Sequence, residues 1–276
     1  MMGRSGILFI LLSVLVLHPT IILGRSMSVQ DSAPSDSVTV EVDGSAVDPP
    51  MSEADSPKVR TEILRVLRLG EATLLENYLN TAKAYFEKRL EGSNAAENMY
   101  ELARVHFAMS VMHKLRNEPK QGRQELEEAL KWAKAADKAD DSSAKVHTLL
   151  ADLWGERLVE YGGLFAGPHF GPKVKAENEK AMAIAPDDPS VLAGLGRQYL
   201  LAPRAFGGSP EKAIELFKRA LQLEPRSDAT YVWLARAYRK LKNRDGFNDA
   251  LANALRLQPE NAQAKWEQSQ WPEGKD

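Results

Sequence analysis

The sequence predicts an all-α protein, a right-handed stack of antiparallel helix pairs with elongated insertions between some helices, and three observations carry that prediction. Pro225 and Pro259 stand 34 residues apart and each closes a unit, which is the spacing of a two-helix repeat. Within the units apolar residues recur at three- and four-residue steps, the pattern of helices that each bury one face. Small residues, Gly196, Ala213 and Ala220 in one unit and Ala235 and Ala254 in the next, fall where two helices have to approach closely.

The chain opens differently. Residues 1–24 carry one charge, Arg4, before the apolar run Ile7 to Leu17 and then His18-Pro19. A short positive head before an apolar stretch is the layout of a secretory signal. The 18 residues from Ile7 to Gly24 are also just long enough to cross a bilayer if uncleaved. Residues 1–24 therefore read as a signal peptide or an N-terminal anchor, which places the rest secreted or periplasmic, or tethered on the far side of a membrane. Any membrane contact is expected only through residues 7–24.

Residues 25–57 follow as an acidic linker. Between Arg25 and Ser56 there is one basic residue against seven acidic ones and no aromatic, too little apolar material to offset the entropy of ordering a chain. The alternation Val38 to Val42 is a short strand candidate within it.

The helical domain is expected over 58–268, with a polar tail at 269–276. Ile63, Leu64, Leu67, Leu74, Leu75, Tyr78, Ala82, Tyr85 and Phe86 form the stripe of a leading helix, which Gly70 is positioned to break. Leu102, Ala103, His106 and Phe107, then Gly122, Leu126 and Ala129, form a first degenerate pair. Val146, Leu150, Ala151 and Trp154, then Ala176, Lys180, Ala181 and Ile184, form a second that ends at Pro186. Leu192, Leu195, Gly196 and Tyr199, then Ala213, Phe217 and Ala220, form the third. Tyr231, Leu234, Ala235 and Tyr238, then Phe247, Leu251 and Ala254, form the fourth. Such stacks bury a continuous core between neighbours and leave a concave groove.

The stripe Tyr231-x2-Leu234-Ala235-x2-Tyr238 with Phe247-x6-Ala254-x4-Pro259, and Leu192-x2-Leu195-Gly196-x2-Tyr199 with Ala213-x3-Phe217-x2-Ala220-x4-Pro225, resemble the tetratricopeptide repeat family. The stretch 185–225 is similar to the exported helical accessory proteins of TRAP-type transport systems and to the regulator-of-microtubule-dynamics family. The resemblance implies a non-catalytic protein-interaction or scaffolding module. Its transport-associated branch implies a solute-binding or envelope component as partner. The dicarboxylate clamp of Lys, Asn and Arg known in the repeat family finds no positional match here. The N-terminal cysteine that is often lipidated in the transport branch is also absent, since the chain has no cysteine at all.

Composition narrows the chemistry further. The formal net charge is −2, so no charge excess points to nucleic acid. The five histidines show no His-x-x-x-His or His-Glu-x-x-His spacing, which leaves no metal site legible. Paired acids such as Asp187-Asp188 and Glu127-Glu128 fall at helix ends or on wet faces, and neither a nucleophile motif nor a cofactor motif is present. The expectation is no enzyme and no cofactor.

Candidate binding residues lie in two Gly- and Pro-rich insertions. In 161–172 they are Tyr161, Phe165, His169 and Phe170, and in 201–210 they are Arg204 and Phe206. Large side chains on glycine-rich loops are costly to order unless they pack on the stack itself or on a partner, and both readings stand. In the second, the aromatics supply apolar area and Arg204 a donor fork for a carboxylate. Trp233 is out of phase with the core stripe and is expected to face the groove or a partner. An open apolar end of the stack would favour self-association. The alternative to a protein partner is a small apolar or carboxylate ligand held in a groove or cavity.

Overall fold

A computed structural model describes residues 56–271 except Ser93, and the side chains at 163–165 are not described. The expected signal or anchor, nearly all of the linker with its strand candidate, and the end of the polar tail lie outside the described residues.

The described residues form eleven α-helices and one short 3-10 turn. They are α1 (Pro57–Thr73), α2 (Glu76–Glu87), α3 (Ala95–Leu115), α4 (Pro119–Ala139), α5 (Ala144–Tyr161), α6 (Gly163–Ile184), α7 (Pro189–Leu201), the turn Arg204–Phe206, α8 (Pro210–Leu223), α9 (Asp228–Lys240), α10 (Arg244–Leu257) and α11 (Ala262–Gln270). The starts follow from capping chemistry: Ser56, Asp188, Ser209, Ser227, Asn243 and Asn261 each accept a backbone N–H of the first turn. At α1, α7 and α8 a proline follows the cap, where its missing N–H has no helical partner to lose.

Pairing is antiparallel and consecutive: α3 packs with α4, α5 with α6, α7 with α8 and α9 with α10. These are the four pairs expected. The leading segment is itself a helix pair, because α1 runs unbroken through Gly70 and ends where Leu74 takes a φ of 55°. Gly70 is a site of close approach, not a breaker: a Cβ there would meet Leu79 Cδ2 at 2.7 Å.

The core lies between the layers. Phe86 in the first cluster and Phe217 and Phe247 together in the last are fully buried, each contributing about 2–3 kcal/mol of apolar burial. His106 stands where the repeat favours tyrosine and is buried, its Nδ1 2.6 Å from Glu125 Oε2 on α4. An ionised carboxylate only accepts, so Nδ1 donates the proton. Burial is the largest single influence on the Glu125 carboxyl and works to raise its pKa, yet the His106 hydrogen bond together with the charges of His106, Lys83 and His113 holds it below its ordinary value.

The first helices of the pairs form the inner layer. Each touches the next in turn, α1 to α3, α3 to α5, α5 to α7, α7 to α9 and α9 to α11, and α11 touches α1 again. Ala262 at the start of α11 packs on the cluster built by α1, α2 and α3. The inner circuit is therefore closed. At this seam Leu69, Thr73, Leu75 and Tyr78 face Gln258 and Glu260 across a cavity of about 270 Å³.

Candidate interaction surface

First helices all run one way and second helices the other, so every turn within a pair lies on the same rim of the stack. Of the seven large hydrophobics exposed among the described residues, five sit at these turns: Leu75, Val159, Tyr161, Leu201 and Phe206. Ile184 and Leu223 lie on the opposite rim.

The insertion at 201–210 is a compact loop, as expected. The N–H groups of Phe206 and Gly208 donate to Pro203 O at 2.9 and 3.0 Å, Gly207 N donates to Arg204 O at 3.1 Å, and Ser209 N donates to Tyr199 O at 2.9 Å. Gly207 has a φ of 85°, and a Cβ on Gly208 would stand 1.9 Å from Ala202 O. Both glycines are thus required by this path. The loop holds Phe206 outward, 76% exposed, and does not fold it back as a plug. Beside it the Arg204 side chain is 79% exposed and meets Glu211 at 3.5 Å. Lys240 donates to Leu200 O just beneath. Burial, with Arg204 nearby, lowers the Lys240 pKa.

The stretch 161–172 is not a loop. Beyond Gly162, whose φ is 53°, the chain turns at once into α6, with Pro168 and Pro172 inside the helix. Each proline removes one ladder bond, and aromatic packing compensates. Phe170 is buried and stacks on Trp154 at 6.0 Å, with Tyr161 at 5.7 Å and the His169 ring at 4.6 Å. Lys173 and Lys134 stand 4.3 and 4.8 Å from the Trp154 ring, and Arg157 stands over the same group while paired with Glu127. Phe170 is thus a core residue, whereas Tyr161 and His169 are exposed. The Phe165 side chain lies outside the described residues.

Trp233 is half-buried between the first helices α7 and α9, with Arg236 4.3 Å and Arg197 5.9 Å from its ring. The structure thus brings Tyr161, His169 and Phe170 together and Arg204 with Phe206, and it places Trp233 in a third environment. That third environment holds residues the sequence reading passed over. One charged residue directly follows the small residue of each first helix from α1 to α9, giving Glu71, Arg104, Asp152, Arg197 and Arg236. Arg104 holds Glu71 and Glu101, Arg197 holds Asp152 in two hydrogen bonds of 2.7 and 2.6 Å, and Arg236 holds Glu267 at 2.5 Å. Burial raises the Asp152 pKa, and the Arg197 guanidinium works against it. The recurring small-plus-charged dipeptide was the available signal.

Among the described residues no group of His, Asp or Glu side chains is placed to hold a metal ion, and no helix is long and apolar enough to cross a membrane.

The comparisons with known proteins agree with this architecture. The family model described as Regulator of microtubule dynamics protein 1-3 matches residues 69–203. The model described as TRAP transporter T-component matches residues 192–266. No curated protein matches the chain. Among solved structures, TTC0263, a thermophilic tetratricopeptide repeat protein of Thermus thermophilus, is 19% identical over 75% of this chain and 97% of its own, with a TM-score of 0.55. The YrrB structure, described as a repeat protein with an unusual peptide-binding site, is 16% identical over 79% of this chain and 94% of its own, at a TM-score of 0.35. MamA is 16% identical over 68% and 92%, at 0.36. The first likeness shows the fold, a tetratricopeptide-like solenoid, and the other two carry no argument.

Proposed function

We propose that this chain is a protein-interaction scaffold that engages its partner through the rim, with Phe206 as the anchor and Arg204 and Leu201 beside it. One observation carries the reading: a phenylalanine 76% exposed on a loop fixed by its own backbone hydrogen bonds. A floppy loop would lose its freedom on binding, whereas this one is already ordered, so the aromatic area is gained at little entropic cost. Aromatic and arginine side chains are the usual centres of interface energy. The fitting partner is a protein with an apolar pocket flanked by a carboxylate. The apolar segment at 7–24 supports a location across or beyond a membrane, and the match of 192–266 to a transport component supports an accessory role beside a solute-binding or envelope protein.

Crosslinking in the native cells, followed by mass spectrometry, tests this. A protein captured by the wild type and lost with Arg204→Ala plus Phe206→Ala, while circular dichroism shows unchanged helix content, is the expected result. Equal capture by both chains refutes the rim as the contact.

A further inference from the structure

Among the described residues the inner circuit is closed, so the apolar surface left for self-association lies on the two rims. A patch on each lies at an end of α8. Phe206 and Leu201 stand exposed where α8 begins, and Leu223 and Ile184, 52% and 44% exposed, stand where it finishes. A helix of that length spans about 20 Å, which sets the two patches on opposite edges of the stack.

Ile184 and Leu223 hold the same place in successive repeats, two residues before the closing Pro186 and Pro225. They therefore belong to one row of the outer layer. The ion pair of Arg219 on α8 with Asp187, three residues past Ile184, ties the two helix ends together, and both prolines are exposed and keep the edge stiff. In the last repeat the matching residue, Leu257, is half-buried. Charge separates the two patches. Across 201–212 and 240–242, Arg204, Lys212, Lys240 and Lys242 stand against Glu211 alone. Across 184–188 and 219–226, Asp187, Asp188 and Glu224 outnumber Arg219 and Arg226, and Glu224 is exposed with no base beside it.

We propose that the rim bearing Phe206 receives the Ile184 and Leu223 edge of a second copy of this chain, with the basic turns set against Asp187 and Glu224. The proposal rests on the reading of Phe206 as a rim anchor and names an occupant for it, with which a foreign partner at the same residue would compete. Both surfaces are ordered beforehand, one by its loop hydrogen bonds and the other by its prolines, so little freedom is lost on contact. Because the patches differ and lie at opposite ends, a copy seated through one leaves its other free. The contact is head-to-tail and continues as an open row.

The test measures the mass of the purified full chain by light scattering over a range of concentrations, alone and in mixtures. Wild-type mass should rise with concentration past that of a dimer and fall back at high salt. Phe206→Asp removes one patch and Leu223→Asp the other, with helix content unchanged because both side chains are exposed. Each variant alone should keep its low-concentration mass. An equal mixture should reach about twice that mass and grow no further, since one intact patch of each kind remains. Association through residues 7–24 is common to all three chains and cancels in the comparison. Phe206→Ser and Leu223→Ser replace an aspartate variant that loses helix. A wild-type mass that never rises overturns the proposal, as does a variant that assembles like the wild type or a mixture that does not combine. If the wild-type mass never rises while cells yield a foreign protein lost with Phe206→Ala, the second copy is refuted and the rim reading stands. Assembly in the expected pattern, with no foreign protein dependent on Phe206, supports the second copy and refutes the foreign partner alone.

Discussion

The ring of Phe217 on α8 closes on Gly196 of α7, so that a Cβ on that glycine would stand 2.6 Å from Cε1 and 2.9 Å from Cδ1. Gly196→Ala gains about 1 kcal/mol of helix propensity but forces a fully buried ring to move, which costs about 1–3 kcal/mol. The net expectation is a loss of roughly 1 kcal/mol, read as a lowered thermal midpoint. Gly155→Ala has nothing within 4 Å of its new Cβ and should move the midpoint the other way.

Gly208→Ala sets its Cβ against backbone, 1.9 Å from Ala202 O, where no side chain can yield. The loop must change path. Partner capture should fall as far as with Phe206→Ala, with helix content kept and a stability loss of about 1–3 kcal/mol.

Phe170→Ala and Tyr161→Ala separate core from surface in one aromatic group. Phe170 is 6% exposed and Tyr161 60%. Loss of the first should cost about 3–5 kcal/mol, and loss of the second about 0.5 kcal/mol or less. Denaturant midpoints of the two variants check the contrast.

Glu125 is held below its ordinary pKa of 4.5 through His106. A carboxyl depressed in the folded state binds protons more readily when unfolded, so its stabilisation is present above pH 4.5 and fades as pH falls through the folded value. Glu125→Gln should cost about 1–2 kcal/mol at neutral pH, less than a fully buried pair because its side chain is 23% exposed to solvent screening. The gap between variant and wild type should close below pH 4.5, as followed by melting across pH 3–7.

The stack was legible because its periodicity is local: Leu234, Ala235 and Tyr238 announce a helix face regardless of what covers it. The helical path of 163–172 was not, since Pro168 and Pro172 argue for a loop by propensity, and it is Trp154, sixteen residues from Phe170, that supplies the packing. The places of Trp266 and Trp271 were not legible for a similar reason. Trp271 packs at 5.1 Å on Phe247 under Arg244, a contact fixed by how the chain leaves α11, and Trp266 is only half-buried. The outward Phe206 could be read as plug or anchor until the loop's hydrogen bonds decided its direction. The pairing of Arg236 with Glu267 spans 31 residues and leaves no mark in either neighbourhood.

A linear repeat array unravels from its two ends, each terminal unit held by a single neighbour. Here the first and last helices of the described residues, α1 and α11, are neighbours of each other. The two ends therefore share one lock, and whatever loosens it frees the first repeat and the last in a single event.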